Sequence, residues 1–148
     1  MDDAVRHGLA VEMRLRGSRQ QYSLAFARMN LTGAWLAKDA VAKARAMVSM
    51  GLPLAAQAFL LHVWADYLAL LAVLEGRPHT AARLLGYGDA IHTAHNLVRQ
   101  TNEARAAERA ERLAREQLDD ADFERLKSEG ADLRDEDISA LALDAQDS

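Results

Sequence analysis

Two histidine–carboxylate arrangements are the residues in this chain whose types and spacing come nearest to chemistry. His62 and Asp66 stand four positions apart, which places them on one face of a helix. A carboxylate orienting an imidazole is the core of general-base catalysis. The serines Ser18, Ser23, Ser49, Ser128, Ser139 and Ser148 all lie outside any G-x-S-x-G elbow, so the pair has no evident nucleophile beside it. It therefore reads as a polar patch that satisfies itself inside a helix stack, with a ligand-facing groove as the alternative. The second arrangement is His92-x-x-His95 with Asp89 one turn before it. Asp89, His92 and Asn96 share a helical face that could hold a weak metal. Zinc, however, requires three or four supported ligands, and His95 is rotated off that face. A surface or capping role follows, and neither a metal nor any other cofactor is expected.

Other candidates have plainer readings. Gly86-Tyr87-Gly88 is a G-x-G that follows no strand, so it permits close helix approach or a kink rather than nucleotide binding. Trp35, Trp64 and Tyr67 fall at helical spacing in an aromatic-poor chain; they read as core, with the lining of a concave peptide groove as the other possibility.

The elements that must position these residues are helices. Gly17-Ser18-Arg19 and Gly51-Leu52-Pro53 open two similar stretches 34 positions apart. Repeats near that period with helix–turn–helix texture signal stacked helical hairpins. The apolar period and turn residues predict helices over 2–16, 18–35, 39–50, 53–75 and 78–98. Asp39 is the expected N-cap of the third, and Gly51 and Gly76 are expected stops. Residues 54–74 are apolar nearly all round, interrupted by Gln57, His62 and Asp66. An ionised Asp66 at mid-span is costly in lipid, so this reads as a central, protein-buried helix and no membrane partner is expected.

From Thr101 the texture changes to Glu, Arg and Ala. Ala104, Ala107, Leu113, Ala114 and Leu118 trace a seam, and Glu108–Arg112 and Glu111–Arg115 are favourable i,i+4 pairs. Helices over 101–118, 120–129 and 135–144 follow, capped by Asp119 or Asp120, stopped by Gly130, and ending in a frayed tail from Asp144. The domain division is thus hairpin repeats over 1–100 and charged capping helices over 101–148.

Composition agrees. Half the residues are hydrophobic and only 5% aromatic, which suits helices packed through small side chains. Residues 1–100 carry a net charge of +4 and residues 101–148 a net −8. An acidic C-terminal third opposes nucleic-acid contact, and the excess upstream is too diffuse for a DNA-reading surface. The absence of cysteine removes disulfides and thiolate metal sites and fits a reducing cytoplasm. No apolar run follows a basic start, so no secretory signal is expected.

The stretch Gly76-Arg77-Pro78-His79-Thr80-Ala81-Ala82-Arg83-Leu84-Leu85-Gly86 carries a resemblance, together with a later series of Phe123, Gly130, Leu133, Glu136-Asp137 and Ala140-Leu141-Ala142-Leu143. It resembles the tetratricopeptide-like C-terminal region of large ATPase-containing bacterial transcriptional regulators of the LuxR and winged-helix types, over roughly residues 17–143. Tyr87-Gly88 after Gly86 and Arg134 in place of a Ser or Thr cap depart from that pattern. No G-x-x-x-x-G-K-[ST] loop and no basic recognition helix is present. The resemblance therefore implies the interaction or sensor portion of such a regulator, without its ATPase or DNA-binding activity.

The expectation is an all-α, tetratricopeptide-like right-handed α-solenoid of about seven to eight helices, non-enzymatic and cytoplasmic. It would bind a partner helix or peptide through Tyr22, Phe26, Arg28, Gln57, His62 and Asp66, on a groove lined by residues 18–35 and 54–75. Val5, Leu9 and Met13 would present an uncovered solenoid end and drive a homodimer or contact with a preceding domain. The rival expectation is a small-ligand sensor or enzyme with its pocket around His62 and Asp66.

Overall fold

The computed structural model describes residues 2–16, 21–57 and 60–147; the side chains of residues 13–16, 21 and 22 fall outside that description. Met13 and Tyr22, expected at contact surfaces, are therefore outside the described side chains. The described residues form eight α-helices and no strand, so the chain is all-α. It divides into two compact units, Met1–Leu60 and Leu61–Ser148.

The first unit holds α1 (Asp3–Arg16), α2 (Gln21–Ala37) and α3 (Val41–Gln57). Asp2 opens α1, its carboxylate accepting from the Val5 amide at 3.0 Å. The packing runs α1 on α2 and α2 on α3. Arg28 of α2 ties the three together. It is 8% exposed and faces the still more deeply buried Glu12 of α1 at 3.4 Å, and its Nη1 donates to the Met50 carbonyl of α3 at 2.9 Å.

Two local expectations fail here. Asp39 is not the N-cap of α3 but the residue after the C-cap of α2, in left-handed conformation (φ 58°). The Ala40 amide reaches back to the Trp35 carbonyl and the Asp39 amide to that of Leu36, a Schellman closure. Nor does the helix stop at Gly51: α3 continues through Pro53 to Gln57. Proline removes the donor that the Ser49 carbonyl would otherwise receive, and in the same turn the Met50 carbonyl accepts from Arg28 of α2. The expected long helix over 53–75 is consequently two elements, and the next begins at Leu61.

The second unit holds α4 (Leu61–Leu74), α5 (Pro78–Ala94), α6 (Thr101–Gln117), α7 (Asp120–Ala131) and α8 (Asp135–Leu143). At its 14 residues α4 is about 21 Å long, short of a bilayer core. Among the described residues no helix is long and apolar enough to cross a membrane. Every residue from Trp64 to Val73 is buried, under contacts from α5, α6 and α8. The α4–α5 turn is another Schellman closure, with Gly76 at φ 78° and Pro78 opening α5. A third closes α5, with Asn96 at φ 52°; the helix itself ends at Ala94, four residues before the expected end at 98.

Helices α5 and α7 meet backbone to backbone. A Cβ on Gly86 would collide with the Lys127 carbonyl oxygen, and a Cβ on Gly130 with that of Arg83. Gly130 is therefore not a helix stop but half of a reciprocal crossing inside α7. On α6 the buried face is Glu103, Ala106, Ala110 and Ala114. Of the expected seam Ala104, Ala107, Leu113, Ala114 and Leu118, Ala114 is buried and the other four are half-buried, because alanines on neighbouring positions leave the face ambiguous by one residue.

Replacing Gly130 with Ala should cost about 3 kcal/mol, since a methyl group there must push carbonyl backbone aside; a urea midpoint within error of wild type would contradict the crossing. Replacing Asp39 with Gly should instead stabilise the first unit by about 1 kcal/mol by relieving a left-handed non-glycine residue. A lowered midpoint would count against that assignment.

Candidate functional site

The most unusual residue of the second unit is Asp66, a carboxylate 1% exposed in the middle of an apolar helix. Its partner comes from the segment after α5. The left-handed turn at Asn96, with the Leu97 amide bonded to the His92 carbonyl, reverses the chain. Arg99 then donates from Nε to Asp66 Oδ2 at 2.8 Å and from Nη2 to Asp89 Oδ1 at 2.6 Å. Asp89 Oδ2 faces Lys127 Nζ of α7 at 3.0 Å, and Lys127 lies 3.7 Å from Glu111 of α6. Glu111 is 3.8 Å from Arg115, which reaches Asp120 at 3.2 Å and Glu124 at 2.7 Å and stacks over the Phe123 ring. One chain of alternating charge thus threads α4, α5, α6 and α7.

The pKa directions follow from burial and these partners. Burial raises the Asp66 carboxyl above its ordinary value, against the opposing pull of Arg99. Burial also opposes ionisation of Asp89, but Lys127 and Arg99 outweigh it and hold that carboxyl low. Arg99 and Lys127 are raised despite their burial by the carboxylates they hold. Burial raises the Tyr67 hydroxyl, with the nearby Glu103 and Asp66 charges adding to it. Tyr87 is raised by burial and by its 2.6 Å hydrogen bond to Asp135.

The expected His62–Asp66 pair does not form. Asp66 gives one oxygen to Arg99, and its Oδ1 is buried without a hydrogen bond. A guanidinium is a permanent cation with directed donors, and it satisfies a buried carboxylate better than an imidazole that can lose its charge. His62 is half-buried, and its pKa is lowered first by burial and then by the charges of His92 and His95, with Asp135 opposing. His92 Nδ1 lies 2.7 Å from the Gly88 carbonyl, and His95 is the C-cap residue of α5. Among the described residues no group of three or more His, Asp or Glu could hold a metal ion.

The remaining candidates scatter. Arg28 is buried in its ion pair, Phe26 is half-buried and Gln57 is exposed. Val5, expected at an uncovered end, is fully buried, and Leu9 is half-buried. Trp35, Trp64 and Tyr67 are all core. With α4 buried throughout Trp64–Val73, its central run cannot line a groove. One opening among the described residues of this unit lies between α5 and α7. It is an open groove of about 490 Å³ lined by Gly86, Asp89, Ala90, Thr93 and Ala94 on one side and Glu124, Lys127, Ser128 and Ala131 on the other.

Reasoning from the sequence missed Arg99, although one signal pointed to it: a carboxylate in an apolar helix demands a cation, and Arg99 follows the helix packed beside it. Comparison with known protein families, curated proteins and solved structures finds no match.

Two outcomes check this site. Arg99→Ala should cost about 3–5 kcal/mol at neutral pH by leaving Asp66 buried and uncompensated. Because the folded state then favours a protonated Asp66, that deficit should shrink as pH falls through its raised value towards 3.8; a pH-independent deficit would contradict the pairing. The lowered His62 value means that the folded state binds fewer protons there. Its contribution is complete above 6.5 and is lost as pH falls below that value. In urea titrations, His62→Gln should therefore show a shallower acid-side decline than wild type, and an unchanged slope would count against the assignment.

Proposed function

We propose that this chain is a non-enzymatic protein-interaction module of helical-repeat type, working in bacterial signalling or transcription regulation in the cytoplasm and taking a partner helix or peptide. The observation that carries the reading is the α5–α7 groove. Beyond the crossing at Gly86, Ala90 and Ala94 continue the same row at every fourth position of α5 and line the groove, with Ala131 on the α7 side. A row of small side chains at that period is a furrow into which the ridge of another helix fits. Asp89 and Lys127 on its rim satisfy each other, so an apolar ridge can enter without leaving either charge unpaired.

The packing order of the second unit supports the repeat reading. Helix α4 pairs with α5, α6 lies on both, and α7 lies on α5 with little contact to α6. The α4–α5, α4–α6 and α5–α7 contacts are of the kind found between nearest and next-nearest helices of a stacked array, and a right-handed tetratricopeptide-like α-solenoid is part of the proposal, as is the kinship with regulator C-terminal regions. The catalytic rival loses its orienting pair, because the Asp66 oxygen that is bonded is bonded to Arg99.

Ala90→Trp should fill the groove. Affinity capture from a bacterial lysate should recover a partner with the wild-type chain and lose it with this variant, at unchanged thermal stability. Equal capture by both would remove the groove reading. A substrate turnover that is abolished in a folded His62→Ala variant would establish the enzyme instead. Self-association is tested separately: light scattering should show mass rising with concentration, and a clean monomer at high concentration would end the homodimer proposal.

A further inference from the structure

The α4–α5 turn and the last described residues hold each other by two opposite charges at two helix ends. Arg77, 3% exposed, donates from Nη2 to the Ala142 carbonyl at 3.0 Å and from Nη1 to the Leu141 carbonyl at 3.4 Å. A cation thus sits at the negative end of α8. In return the Asp147 carboxylate accepts from the Thr80 amide at 2.8 Å and the His79 amide at 3.0 Å, with His79 Nδ1 3.4 Å away. It caps the first turn of α5, where Arg77, the N-cap residue, makes no side-chain cap of its own. The expected frayed tail is therefore a clasp. Glu75 takes the remaining reach of Arg77 Nη2, while Arg77 Nε and Thr80 Oγ1 are buried there without partners.

The apolar share of this contact is small. Only Ile138 and Ala142 of α8 are buried, and the helix has 9 residues. Specificity comes instead from a matched geometry: a helix whose last carbonyls meet a guanidinium, followed five residues later by a carboxylate that meets a helix N-terminus.

We propose that the Gly76–Thr80 corner is a receptor for an acidic helix terminus, filled in cis by residues 135–147 and exchangeable with the same segment of a second copy. The one ligand chemistry shown to fit it is carried by this chain. Exchanging a short element that re-forms identical contacts in trans is a low-cost route to association. In the free chain the cis segment has the advantage of a high effective concentration. Weakening it exposes the receptor. The site uses different residues from the α5–α7 groove and stands whether or not that groove takes a partner.

The probe is a labelled synthetic peptide of residues 135–147, added to the full chain and to its Asp147→Ala variant. Binding should be at least about tenfold tighter to the variant, because the cis competitor has lost its cap. In the variant the His79 and Thr80 amides should exchange hydrogen faster than in wild type, and the peptide should slow them again. A peptide carrying Asp147→Asn should do neither. If the wild-type peptide leaves exchange at those two amides unchanged, or if the Asn peptide works as well, the receptor does not exist as proposed. The same exchange data separate this from simple unfolding, which would speed exchange at every amide and not at two, and a circular dichroism melt of the variant should keep the wild-type helicity.

Discussion

The second unit depends on one close approach, the crossing of α5 and α7 at Gly86 and Gly130. With no Cβ on either residue, each helix lays a glycine against a carbonyl oxygen of the other. Ion pairs flank the contact on both sides, Arg83 with Glu129 at 3.2 Å and Asp89 with Lys127 at 3.0 Å. Glycine brings the backbones together, and the charges specify the register. The groove beside the crossing exists because two helices that touch at one point must diverge away from it.

Electrostatics ties this crossing to the core. Asp66 sits among leucines and aromatics on α4, where an unpaired carboxylate is costly. Arg99 neutralises it and at the same time holds Asp89, which holds Lys127 on α7. The buried carboxylate is thus connected to the helix crossing through alternating charge. A single truncation at Arg99 disturbs both ends. In the same arrangement the carboxylate that would orient His62 is committed to Arg99.

Much of this was legible from residue order alone. All-α character followed from apolar period, and Gly76-Arg77-Pro78 announced a left-handed closure followed by a new helix. Gly86-Tyr87-Gly88 is a pattern that permits close helix approach. What escaped the reading has common physical causes. Gly51 and Pro53 look like punctuation, yet α3 runs through them, with Gly51, Leu52 and Ala55 buried and the Met50 carbonyl bonded to Arg28 of α2. Asp39 fits an N-cap as well as a left-handed C′ position, and only the direction of its amide bond decides. Alanines on adjacent positions of α6 hide its buried face. Arg99, Arg77 and Asp147 act over separations of 33, 65 and 67 residues, and no local pattern encodes such pairings.

The central claim is that the α5–α7 crossing holds the second unit together, and native-state hydrogen exchange tests it most directly. If it does, the slowest amides of α4, α5 and α7 should exchange with one shared opening free energy, as a single cooperative element. Should α7 exchange far faster than α4 and α5, opening while they stay closed, the crossing would be a peripheral contact and the account would be contradicted.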